Sequence, residues 1–169
     1  ESHLNGSMAY HIKVGEDTLL VVNNHLESNK IAEADKAIYQ NMMDDPNEQN
    51  LKEGSKLLLK KIAEASAIRS AQADAVVKIV RDFKGQGVIV CGDFNDSPIS
   101  YAHQTICKGL NDAFVESGNG LGISYNRNSF YFRIDHILTS KNMKVYQCTV
   151  DRSVKASDHY PIWCHISLE

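Results

Sequence analysis

The stretch Val88–Ser97, VIVCGDFNDS, constrains the fold more than any other part of the chain. Four apolar residues run unbroken into the Cys91-Gly92 step, so they read as a strand buried on both faces. Gly92 lets the backbone leave the sheet, and Asp93 and Asn95 then stand at the strand's carboxyl end. Open α/β sheets usually place ligands at that edge. An acid and an amide two residues apart in extended chain point the same way, toward one phosphate or one hard cation.

The rest of the sequence supplies elements to surround this strand. A length of 169 residues gives one domain with a proper core. The net charge of −3 provides no global field for nucleic acid, although a local cationic loop would suffice. No run of ~18 apolar residues exists to cross a membrane, and the opening ESHLNGSMAY has no signal-peptide pattern. It reads as a chain entered partway through. Cys91, Cys107, Cys148 and Cys164 lack CxxC spacing, so reduced and mostly buried thiols are expected.

Met8–Val14 and Thr18–Leu26 form a hairpin pattern around Gly15-Glu16-Asp17. In extended chain Asn23 and His25 share a face opposite Asn24. A helix is expected over Ile31–Met43, ended by Asp44-Asp45-Pro46-Asn47. A second helix is expected from about Ser55 to Phe83, with Leu58, Ile62, Ala65, Ile68, Ala71, Ala75 and Ile79 on its apolar face and a bend near Ser66. It would cross over between parallel strands. Tyr101–Lys108 is a short helical candidate, and Val115–Arg133 reads as a long glycine-containing loop. Strand patterns at Arg133–Thr139, Met143–Val150 and Tyr160–Leu168 close the chain.

Four short segments carry groups suited to chemistry: Asn23-x-His25, Gly92-Asp93-x-Asn95, Arg133-x-Asp135-His136 and Ser157-Asp158-His159-Tyr160-Pro161. Each alone also fits a turn, a cap or a solvated surface. Asp135 is harder to dismiss, because a carboxylate in an apolar strand needs a partner such as histidine or arginine. Arg127 is a candidate phosphate clamp, and Tyr125, Phe130 and Tyr131 either stack on a ligand ring or pin the loop.

Taken together and in this order, GDFN, RxDxI and SDHYP resemble the endonuclease/exonuclease/phosphatase superfamily, with its deoxyribonuclease I-like fold. The resemblance runs from about Leu19 to Leu168. It implies an α/β fold of the α+β type, a four-layer sandwich with two sheets face to face and helices outside. It also implies a phosphodiesterase or phosphatase that uses Mg2+ or Mn2+. On this resemblance His159 would be the general base and Asp135 would fix its tautomer. Asp93 and Asn95 would bind the nucleophile, the phosphate and a metal, and Asp158 would be a metal or water contact. His25 would donate to a phosphoryl oxygen, with Asn23 in support.

Three departures qualify the resemblance. The family's first half, with its asparagine strand and metal-binding glutamate, has no counterpart here, so residues 1–169 read as the C-terminal portion of one domain. Glu27 lies beyond His25 and is a poor substitute for that glutamate. The missing half or a homodimer partner is then expected on an exposed apolar sheet face, and the chain alone is expected to have little activity. The segment 28–65 is longer than the family minimum and reads as a helical insertion that shapes substrate access or covers an apolar surface. His136 stands where tyrosine is common and is expected to pack away from Asp135. The substrate would be phosphorylated: a nucleic acid, a phosphoinositide, a phospholipid or a small phosphodiester. The competing expectation is a non-catalytic domain that binds a phosphorylated ligand or a partner.

Overall fold

The computed structural model describes residues 5–30, 35, 38, 41–42, 44–127 and 130–168. Strands β1 (Gly6–Val14) and β2 (Asp17–His25) pair as an antiparallel hairpin, with Gly15 at φ 62° in the turn. Helix α1 (Glu48–Asp82) then crosses over to β3 (Gly87–Asp93), which pairs parallel with β2. Asn47 caps α1 by accepting a hydrogen bond from the Asn50 amide, directly after Pro46.

Helix α2 (Tyr101–Cys107) leads into the short β4 (Leu110–Asp112) and then α3 (Ala113–Ser117). Strands β5 (Tyr125–Arg127) and β6 (Phe130–Phe132) form a small hairpin, followed by β7 (Asp135–Ser140), β8 (Met143–Val150) and β9 (Ile162–Leu168). The main sheet has the order β1-β2-β3-β7-β4, while β8 and β9 pair separately.

Two cores define the layers. Leu20, Val22, Val88, Val90 and Leu138 from the main sheet pack against Ala73 and Val76 of α1 and Ala102 and Ile106 of α2. On the other side, Ile137 of β7 meets Val145, Cys148, Val150, Ile162 and Cys164 of β8 and β9. The alternation of β7 thus joins helices on one face to a second sheet on the other. Helices, the main mixed sheet and the β8–β9 sheet thus stack in layers, as the motifs imply. All four cysteines are free thiols. No helix among the described residues is long and apolar enough to cross a membrane.

Several expectations change. Helix α1 starts seven residues earlier than Ser55 and runs through Ser66 without a break. Its buried face is Ala65, Arg69, Ala73 and Val76, whereas Ile68, Ala71, Ala75 and Ile79 face outward. Alanine and isoleucine occur on several faces of this helix, so hydropathy alone misplaced the stripe, and the buried guanidinium marks the true one. The loop over Val115–Arg133 contains the end of α3 and the β5–β6 hairpin. The helix expected over Ile31–Met43 lies largely outside the described residues. Met8, Tyr10, Ile12 and Val14, on alternate positions of β1, are exposed and form an apolar stripe.

Candidate active site

Three strand ends converge at one edge of the main sheet. His25 is the parallel partner of Asp93 across β2 and β3, and Asp135 is the antiparallel partner of Asp93 across β3 and β7. Two backbone bonds then extend the ladder beyond the strands: Leu26 N–H donates to Asp93 O at 2.9 Å and Phe94 N–H to Ile134 O at 2.9 Å. Gly92 makes the convergence possible. It sits at φ 120°, and a Cβ there would lie 2.1 Å from the Asn24 carbonyl oxygen.

Asp93 and Asn95 do face the same place, but not by strand alternation. β3 ends at Asp93, and Asn95 adopts φ 51°, a left-handed conformation that asparagine tolerates. The turn is closed by Asp93 Oδ1, which accepts from the Asn95 amide at 2.7 Å. Asn95 Nδ2 donates to Leu26 O at 2.9 Å and to Asp93 Oδ2 at 3.1 Å. The expected extended geometry is therefore corrected to an Asx turn, because the backbone must leave the sheet here.

His159 reaches this edge from the far end of the chain. Ser124, fully buried, is the knot that brings it in. Its Oγ accepts from the Ile134 and Asp135 amides, and its carbonyl accepts from Tyr160 N–H at 2.7 Å. Asn126 N–H adds a bond to Asp158 O at 3.0 Å. The result is a 2.8 Å hydrogen bond from His159 Nδ1 to Asp135 Oδ2. An ionised carboxylate only accepts, so Nδ1 carries the hydrogen, and in the neutral ring Nε2 keeps its lone pair.

That lone pair faces Asp93. His159 Nε2 lies 4.0 Å from Asp93 Oδ2, and His25 Nε2 lies 3.7 Å from the same oxygen. Neither distance is a hydrogen bond, so one carboxylate oxygen stands between two imidazoles with a gap on each side. Burial raises the Asp93 carboxyl above its usual range and the neighbouring Asp135 adds to this, while the Asn95 amide bond opposes it. The Asp135 hydrogen bond raises the His159 imidazole above its usual value, and the charges of Asp135, Asp93 and Asp158 add to it against burial.

The other expected residues fall nearby. Asn23 and His25 are exposed on one face, with Asn24 buried on the other and donating to Cys91 O. Asp158 Oδ2 accepts from Arg127 Nη1 at 3.2 Å, so the candidate phosphate clamp is held by a carboxylate. Arg127 keeps Asp158 below the usual carboxylate range, against slight burial. Glu27 is buried and its Oε1 lies 2.5 Å from Lys30 Nζ. His136 is buried as expected and donates to Asp96 O at 3.0 Å. Burial pushes its pKa down to about 3, with the nearby His103 contributing.

Sequence reasoning missed Arg69, Asp96, Asp112 and Ser124. Arg69 is fully buried and bonds Asp96 Oδ2 at 2.9 Å, Glu27 O at 2.8 Å, Asn29 Oδ1 at 3.0 Å and Ser66 Oγ at 3.2 Å. It fixes the loops after β2 and β3 to α1. Its four-residue spacing between Ala65 and Ala73 was the available signal. Asp112 caps α3 and takes Arg133 through both oxygens and His103 Nε2 at 3.1 Å. A cleft of about 400 Å³ opens beside the centre, lined in part by Asn95, Asp96, Tyr125, Phe132 and His159. Asp93, Asp135 and His159 offer ligand atoms within 4.8 Å of one another.

A family model described as "Endonuclease/Exonuclease/phosphatase family" matches residues 30–159. No curated protein matches the chain. Among solved structures, an endonuclease/exonuclease/phosphatase family protein from Bacteroides thetaiotaomicron is 19% identical, with a TM-score of 0.66 over 96% of this chain and 55% of that one. A mannosyl-6-phosphatase from the same species is 21% identical, with a TM-score of 0.56 over 91% of this chain and 53% of that one. The human Nocturnin catalytic domain with bound sulfate is 18% identical, with a TM-score of 0.61 over 98% of this chain and 53% of that one. The chain spans about half the length of these structures.

Proposed function

Because the chain belongs to the Endonuclease/Exonuclease/phosphatase family and has its phosphoesterase fold, we propose that it carries the base-bearing half of a divalent-metal-dependent phosphoester hydrolase. The observation that carries this reading is the His159 imidazole: Nδ1 is fixed on Asp135 and Nε2 faces Asp93 across about 4 Å.

In this reading His159 Nε2 takes a proton from the attacking water, and Asp135 holds the ring in the required tautomer and stabilises the imidazolium. Asp93 and the Asn95 side chain orient the water and the phosphoryl group. His25, with Asn23 beside it, donates to a phosphoryl oxygen. Arg127 contacts substrate only if it releases Asp158, so it acts at the rim.

The donor set suits Mg2+ or Mn2+. Asp93 and Asp135 are like charges at paired strand positions, and burial already disfavours the Asp93 charge. Oxygen donors at such a point fit a hard cation. Asp93, Asn95 and Asp158 would hold it, Asp93 foremost because Asp158 is committed to Arg127. A bound cation supplies neutralisation of the phosphoryl oxygens and acidifies bound water.

Turnover in this reading requires a complementary half, consistent with the half-length match and with the exposed β1 stripe on which such a half or a second copy would pack. The test is hydrolysis of a DNA, phosphoinositide, sphingomyelin and aryl phosphodiester panel with Mg2+ or Mn2+, in a protein that joins this chain to its complementary half. His159→Ala is expected to lower turnover by roughly 10²–10⁴-fold. A rate within a few-fold of the parent would remove His159 as the base.

A further inference from the structure

The cleft beside His159 has walls unlike its catalytic end. Ile62, in the N-terminal half of α1, lines it. Tyr125 and Phe132, partners across β5 and β6, line it too. Ser28 and Ser97 add hydroxyls to the lining. Directly paired cross-strand residues share a face, so both rings lie on the same side of that hairpin. The Tyr125 ring also meets the His159 imidazole edge-on at 5.1 Å. A group bonded to a phosphate at His159 would therefore extend along two aromatic rings and one aliphatic side chain, with hydroxyls within reach.

The charges around the cleft narrow its occupant. Lys30 is held by Glu27, Arg69 by Asp96 and Arg127 by Asp158. Asp93 and Asp135 add two further carboxylates beside His159. Binding a nucleic-acid strand needs a row of cations that can neutralise successive phosphates. Here each of these three cations already has a carboxylate. The volume of about 400 Å³ lies at the small-molecule end of ligand sites, roughly 300–1,000 Å³.

We infer that the cleft receives a compact, hydroxylated ring carrying a single phosphoester, the chemistry shared by monosaccharide phosphates and mononucleotides, in preference to a nucleic-acid strand. The orientation, phosphate toward His159, rests on the function proposed above; the occupancy of the cleft does not depend on turnover. Ile62, Ser28, Asn29 and Lys30 all belong to segment 28–65, so in this reading that segment borders the cleft.

Equilibrium binding tests this without catalysis. The full chain in Mg2+ buffer is titrated with glucose 6-phosphate, adenosine 5′-monophosphate, inorganic phosphate and a single-stranded oligonucleotide. At least one ring ester is expected to bind roughly tenfold tighter than inorganic phosphate and tighter than the oligonucleotide, a factor typical of one ring contact. Phe132→Ala and Ile62→Ala, both at partly exposed positions, are expected to remove that advantage and leave inorganic phosphate unchanged. A larger loss for the nucleotide than for the sugar phosphate at Phe132→Ala identifies a base as the ring; equal loss identifies a sugar. Equal affinity for inorganic phosphate, tightest binding of the oligonucleotide, no binding at all, or variants without selective effect would each overturn the inference. Selective ring binding together with His159-independent turnover would instead sink only the proposed mechanism.

Discussion

Asp135 and His159 are separated by 24 residues of sequence and joined by a 2.8 Å hydrogen bond from Nδ1 to Oδ2. The bond depends on a third residue, Ser124, whose hydroxyl receives the Asp135 amide and whose carbonyl receives the Tyr160 amide. The most diagnostic contact of the site is therefore assembled by a buried serine that no motif contains.

The His159 imidazole should titrate above 6.5 in metal-free buffer, chiefly through its Asp135 bond. The folded state then holds this proton more tightly than the unfolded chain does. Its contribution to stability is complete below the unfolded pKa and disappears as pH rises through the folded one. Imidazole NMR titration and urea midpoints at several pH values measure both effects. Asp135→Asn is expected to lower the pKa and flatten that part of the stability profile; an unchanged His159 titration would contradict the assignment.

Asp93 behaves oppositely to an ordinary paired carboxylate. Its folded pKa is raised, first by burial, so its ionisation costs stability once pH passes above the unfolded value. Asp93→Asn should raise the melting temperature at pH 7 in chelator. Mg2+ should stabilise the parent, by about 2.7 kcal/mol at a hundred times its Kd, and should not stabilise the variant. Equal Mg2+ gains in both proteins would place the cation elsewhere.

Arg69 is a buried cation with four oxygen partners drawn from the loops after β2 and β3 and from its own helix. Arg69→Leu leaves Asp96 uncompensated and should cost about 3–5 kcal/mol, read from urea denaturation. Adding Asp96→Asn should return part of that loss, since one unpaired charge is then gone. A double variant no more stable than the single one would mean the pair is not coupled.

Gly92→Ala tests the turn itself. The new Cβ would lie 2.1 Å from Asn24 O at a backbone φ of 120°. A loss of about 1–3 kcal/mol is expected, with disturbed Asn24 and Asp93 amide signals by NMR. A variant as stable as the parent with unshifted signals would mean that the turn tolerates a side chain.

The sequence alone determined the β3 strand, the β1–β2 hairpin, the crossover by a long helix and the set of polar segments that meet at one sheet edge. Those signals are local: an unbroken apolar run, a glycine-centred turn, and motifs whose order is preserved. Only the tertiary structure decided which face of α1 is buried, that Asn95 meets Asp93 through a left-handed turn, and that Arg127 sits on Asp158. The reason is that burying Arg69, Asp112 and Ser124 becomes favourable only when their partners arrive from elsewhere in the chain. A polar residue's sequence neighbours do not reveal which distant oxygen will satisfy it.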